Sequence, residues 1–411
     1  MTMAHSMPGD FVPSRNLAHL EPTWLASIRW EVERRAAAGD DVIDLSRDHP
    51  VGDTPRPIVE AASKAVQAGP GEQIDAAGLI DLRAAAARHF SLLSGGRPVN
   101  ADHVVVTSGA RQAMFAACFT LFESGDCVLV PTPSSQLFPG LVRLARAIPI
   151  LVPGDVEWSL KVGAADLDRS RDARTAGLIL STPVNPTGAV YTRSELKFIL
   201  EWAHERSLWV IVDESHRRFH FGSGPAPSML DLPDELMEQV VVVIGLGQTY
   251  SMTGWRVGVA LAPSSVARAM AKLQEHAIGG VSLPAQRAAA TVLTDERVEG
   301  EVERLTESLR RRRDQVVEYL RERLAGVEFV EPLGTPYCFF RVDGFFDDEL
   351  TKAGGFCERL LGEYGVAMAP GEVFGDERWV RLTYGVPARV LADALERTAA
   401  FMNTLAKREA V

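Results

Sequence analysis

Seven short runs of nearly unbroken apolar, largely β-branched residues, separated by helical stretches, constrain this chain more than any other feature. They are His103–Thr107, Cys127–Val130, Ile148–Val152, Gly177–Thr182, Leu208–Val212, Val240–Ile244 and Val257–Leu261. A strand with one wet face alternates apolar and polar residues, whereas a strand covered on both faces reads as a continuous apolar run. The spacing therefore predicts an α/β domain with a seven-stranded, mostly parallel sheet flanked by helices. Helical periodicity marks Trp24–Ala38, Leu79–Leu93 and the Glu/Arg-rich Arg287–Leu324. Pro57 fits the first turn of another helix. Val327–Val342 and Val380–Tyr384 read as strands with helices between and after, so the tail is a small α+β domain. The expected division is an N-terminal arm and part of the small domain over 1–50, a large domain over 51–290 and a small domain over 291–411.

At 411 residues with a net charge of −11, the chain is long enough for two domains and does not offer a general nucleic-acid surface. No apolar run is long enough to span a bilayer, and the first dozen residues lack the apolar core of a signal peptide. A cytoplasmic location is expected. Cys118, Cys127, Cys338 and Cys357 form no CxxC pair or zinc spacing and read as free thiols.

Short motifs follow the predicted strands in a fixed order. Ser108–Gln112 (SGARQ) follows the first, Val184–Gly188 (VNPTG) the fourth and Val212–Ser215 (VDES) the fifth. Ser251–Gly258 (SMTGWRVG) precedes the seventh. Gly334–Phe340 (GTPYCFF), Ala369–Gly375 (APGEVFG) and Trp379–Gly385 (WVRLTYG) lie in the small domain. Each alone is weak, but seven in order resemble the class I/II aminotransferases, the fold-type I enzymes dependent on pyridoxal phosphate (PLP). The resemblance covers roughly residues 40–405 and implies an aspartate-aminotransferase-like fold, a homodimer and an amino acid or related carboxylate as substrate.

The resemblance also implies roles. Gly109, Ala110 and Arg111 would receive the cofactor phosphate at a helix N-terminus, and Arg256 would add a charged contact. Asp213 would keep the pyridine nitrogen protonated, and Asn185 would hold the phenolic oxygen. Arg381 would fork onto the substrate carboxylate.

Several positions depart from the family pattern. Gln248 stands eight residues before Arg256, where the Schiff-base lysine is expected. A carboxamide neither attacks an aldehyde nor shuttles protons near neutral pH. Gly245 and Gly247 replace serines, Ser135 replaces a ring that stacks on the cofactor, and His216 replaces a tyrosine. Gln73 replaces the tyrosine that reaches the partner's phosphate, and Asp48 replaces a glycine at the substrate's path.

The departures leave several readings open. One is an enzyme with non-covalent PLP or its amine form (PMP), or with no cofactor, in which His216 acts as base because imidazole titrates near neutral pH. Another is a non-catalytic ligand-binding or partner subunit. A third is a metal site from Asp213, His216 and His220, and a fourth is an ordinary aminotransferase with an engineered Lys-to-Gln change.

Overall fold

The computed structural model describes residues 14, 17, 20, 24–69, 71, 74–324 and 326–408. Strand β1 (Ile43–Asp44) precedes the large sheet. That sheet comprises β2 (Val104–Thr107), β3 (Cys127–Thr132), β4 (Ile148–Pro153), β5 (Thr175–Ser181), β6 (Trp209–Asp213), β7 (Val240–Gly245) and β8 (Gly258–Leu261). Its order is β2-β8-β7-β6-β5-β3-β4, and only β8 runs against the rest. This is the expected seven-stranded, mostly parallel sheet.

The apolar runs are continuous because neighbouring residues serve two cores. Val104, Val106, Leu178, Leu180, Val210, Val212, Val240 and Val242 enter one cluster. Val105, Ile179, Ile211, Val241 and Val243, on the opposite face, enter another. Strand β4 departs from this rule, since it closes one edge and leaves Ile148 41% and Leu151 50% exposed.

A smaller domain carries the antiparallel sheet of β9 (Phe329–Val330), β10 (Tyr337–Arg341), β12 (Ala369–Pro370) and β13 (Trp379–Thr383). Beside it, β1 pairs in parallel with β11 (Val366–Ala367). Two sequence expectations need correction here. The helix expected over Arg287–Leu324 is two helices, Leu283–Val292 and Glu296–Arg323, because Asp295 caps the second by accepting the Arg297 N–H at 2.9 Å. The strand expected over Val327–Val342 is split into β9 and β10 by Glu331–Pro336.

The parallel strands bring the carboxyl ends of β2, β5, β6 and β7 to one edge of the sheet, where open α/β sheets form their ligand crevices. No helix among the described residues is long and apolar enough to cross a membrane.

Candidate active site

At that edge a cleft is lined by Asp48, Gly109, Ala110, Arg111, Ser135, Asn185, Asp213, His216, Gln248, Arg256 and Arg381, among others. The structure thus gathers every described residue that the resemblance and its departures singled out, whereas His220, named only for the metal reading, does not line the cleft. Gln73 lies outside the described residues, as do the first dozen residues.

One end of the cleft is a backbone cup. Gly109, at φ +82°, precedes the helix Ala110–Leu121, whose first turn has no side-chain cap. The open N–H groups and the helix dipole favour an anion there. A Cβ on Gly109 would lie 2.6 Å from Nη2 of Arg256, so only glycine leaves room for that guanidinium. Arg256 Nη2 donates to the Ser108 carbonyl at 3.3 Å and Nη1 to that of Thr253 at 3.2 Å, which holds it over the cup.

Asp213 ends β6 and is raised from the usual carboxylate range by burial, against the hydrogen bonds it receives. The Ser215 N–H donates to Asp213 Oδ1 at 2.9 Å, and the Ser215 hydroxyl donates to the same oxygen. That hydroxyl also accepts the Gly245 N–H at 2.8 Å. A Cβ at Gly245 would lie 2.9 Å from Ser215 Oγ and 3.0 Å from Ala110 Cβ. Ser215 therefore fills the space in which the resemblance places a serine at position 245, and its role was not read from the sequence.

Arg381, on β13, is fully buried at the inner end of the cleft. Its guanidinium lies between the Tyr337 and Phe374 rings, 4.4 and 4.9 Å from their centroids. Nη1 donates to Asn185 Oδ1 at 3.0 Å, and Nη2 donates to the carbonyls of Ser46 at 2.7 Å and Arg47 at 3.2 Å. Nε has no partner among the described residues.

Gln248 donates its side-chain N–H to the carbonyl of Asp48, which also accepts the Tyr337 hydroxyl at 2.5 Å. Tyr337 was legible only as part of GTPYCFF, with no signal for this contact.

His216 packs edge-on against Tyr337, with ring centroids 5.7 Å apart, and its Nε2 has no partner among the described residues. Burial, with the Arg381 charge adding to it, lowers His216 from the ordinary 6.5 to about 4. The sequence expectation of a group titrating near neutrality is therefore corrected, because the buried imidazole stays neutral there.

The depressed value has a consequence for stability. The native state binds fewer protons at this ring than the unfolded chain. Its contribution is full above about pH 6.5 and lost as pH falls toward about 4, on the order of 3 kcal/mol in all. His216→Gln is expected to flatten that limb in a pH series of urea melts. An unchanged limb would place the loss in another group.

The metal reading is not supported by the geometry. No three His, Cys, Asp or Glu side chains among the described residues form a metal-holding group, and His220 Nδ1 is engaged with the Gly224 carbonyl at 2.8 Å.

Residues 40–397 match the aminotransferase class I and II family. The chain belongs to that family. An aspartate aminotransferase of Streptomyces avermitilis is 35% identical over 367 residues, covering 88% of this chain and 89% of that protein. A probable aspartate/prephenate aminotransferase of Aquifex aeolicus is 30% identical, covering 93% and 96%. The structure of the Thermus thermophilus aspartate aminotransferase with maleate superposes with a TM-score of 0.89 at 30% identity, covering 95% of this chain and 99% of that one.

The aminotransferase family implies PLP, and the cleft fits it unevenly. The uncapped helix, the Gly109 cup and Arg256 suit its phosphate, and Asp213 suits its ring nitrogen. No lysine is among the described residues that line the cleft.

Proposed function

We propose that this aminotransferase-family chain binds an α-amino acid or related carboxylate beside a non-covalently held pyridoxal- or pyridoxamine-phosphate, and does not run lysine-dependent transamination. The observation that carries this reading is Gln248, a cleft residue at the expected lysine position whose amide is committed to the Asp48 carbonyl. An amide nitrogen has a delocalised lone pair and is no nucleophile.

Gly109, Ala110, Arg111 and Arg256 would hold the cofactor phosphate, and Asp213 its ring nitrogen. The bound cofactor would supply an electron sink only to a substrate whose amine had condensed with its aldehyde with loss of water, and none to the intact amino acid held beside it. The remaining work belongs to the chain itself. Asn185 fixes Arg381 Nη1, and Arg381 orients the ligand carboxylate. Ser215 fixes one oxygen of Asp213, and His216 meets the ligand through its unpartnered Nε2. A ring lowered to about 4 holds a proton poorly at neutral pH. That property favours, as the second reading, a ligand-binding subunit without turnover.

The test is to load the protein with PLP, record its absorbance, dialyse, reduce with borohydride and map peptides by mass spectrometry. The expected result is a bound chromophore that dialysis removes and no pyridoxyl mark on any cleft peptide. A covalent mark in the cleft, or transamination above that of free PLP, would overturn the proposal. Absence of any bound chromophore would remove the cofactor and leave the carboxylate site.

A further inference from the structure

The cleft's charges do not balance for the ligand of a lysine-dependent aminotransferase. Assigning the phosphate to Arg256 and the helix N-terminus, and the ring nitrogen to Asp213, leaves two charged side chains at the inner end, Arg381 and Asp48. Arg111, exposed on the first turn of its helix, stands at the phosphate end.

Arg381 and Asp48 are built as one unit. Arg381 Nη2 takes the carbonyls of Ser46 and Arg47, the two residues before Asp48. The Asp48 carbonyl is pinned by Gln248 and by the hydroxyl of Tyr337, the ring that lies against the Arg381 guanidinium. The Asp48 side chain is 39% exposed. One of its oxygens meets His49 Nδ1 at 3.0 Å, and the other makes no hydrogen bond among the described residues. The contact with His49, with the Arg381 charge adding to it, holds this carboxyl well below the usual carboxylate range, so it is an anion at any physiological pH.

An anion in this place has a chemical meaning. A substrate amine condensed with the cofactor aldehyde would no longer be an ammonium, and the cofactor's own phenolic oxygen would balance any proton left on the nitrogen, so the protein would need to supply no counter-ion. A free α-amino acid keeps its ammonium next to its carboxylate. Beside buried Arg381 that cation is repelled unless an anion accompanies it. A 2-oxo acid presents only acceptors at the same atom and would be repelled by Asp48.

We propose that Asp48 is a specificity-determining residue that receives the ammonium group of an intact α-amino acid while Arg381 receives its carboxylate, so that the cleft selects amino acids over the matching 2-oxo acids. This rests on the reading of Arg381 given above.

The experiment is saturation-transfer NMR titration of the dialysed full chain, without added cofactor. It uses the pairs L-alanine/pyruvate, L-glutamate/2-oxoglutarate and L-phenylalanine/phenylpyruvate. In every pair that binds, the amino acid is expected to be tighter by at least about tenfold, as one charged hydrogen bond supplies. Asp48→Asn should bring the two members within about twofold, and Asp48→Glu should restore part of the preference. If Asp48→Asn does not fold, judged by circular dichroism, Asp48→Ser is read in its place.

Equal binding within pairs, or an unchanged ratio in the Asp48 variant, would overturn the proposal. If both members then still lose affinity in Arg381→Ala, the carboxylate site stands and only the Asp48 role falls. If neither member of any pair binds the wild type, both fall together.

Discussion

Replacing Arg381 by alanine is expected to abolish carboxylate binding in the cleft and to cost the fold about 3–5 kcal/mol. Both effects follow from the same burial. The guanidinium is fully buried and supplies the donors for Asn185 Oδ1 and for the carbonyls of Ser46 and Arg47. Alanine leaves those three acceptors without donors and opens a void between Tyr337 and Phe374. For a ligand, losing two charged donors corresponds to roughly 100-fold or more in affinity. Arg381→Lys separates the two effects. It keeps a charge and much of the volume but loses the planar fork, so the fold should survive while affinity still drops by at least about tenfold. Urea melts and calorimetric titration of L-glutamate measure the two. Undiminished binding in a folded Arg381→Lys protein would remove Arg381 from ligand recognition.

Replacing Gln248 by lysine is expected to make residue 248 chemically able to attach PLP, yet to attach it slowly and without restoring transamination. The reason lies in what Gln248 touches. Its amide donates to the Asp48 carbonyl, and the anionic Asp48 side chain lines the same cleft. A lysine placed there would find an acceptor and a carboxylate, both of which favour the ammonium, and an ammonium has no lone pair with which to attack. Adding Asp48→Gly to Gln248→Lys should therefore speed borohydride-trapped labelling at residue 248 by about tenfold or more, the scale of a one-unit fall in lysine proton affinity. Mass spectrometry of the labelled peptide over time measures this. Rapid labelling of Gln248→Lys alone would show that Asp48 does not control the site. Full transamination by that single variant would show that Ser135, Gly245 and His216 have not moved the cleft away from aminotransfer.

The sequence by itself determined what is local. The apolar runs specified strands covered on both faces, since a central strand sends its consecutive side chains into two opposite cores. The order of strands and short motifs carried the family and the seven-stranded sheet. The helix that opens after Gly109 was legible for the same reason, because a helix N-terminus is a property of adjacent residues, while its place as a phosphate cup came only from the resemblance.

Boundaries set by single contacts were less legible. The Asp295 cap breaks what periodicity alone joins, and β4 is apolar yet only partly covered because its place at the sheet edge is not written in its own residues.

Tertiary structure alone decided the inner end of the cleft. Gln248 and Tyr337 meet the Asp48 carbonyl across sequence separations of 200 and 289 residues, and Arg381 reaches the Ser46 carbonyl across 335. Imidazole on its own suggests a base that titrates near neutrality. His216 is not one, because burial and a guanidinium from the far end of the chain disfavour its charged form. Proton affinities and charge pairings depend on distance and solvent exclusion, and the fold sets both by bringing together segments that no local pattern connects.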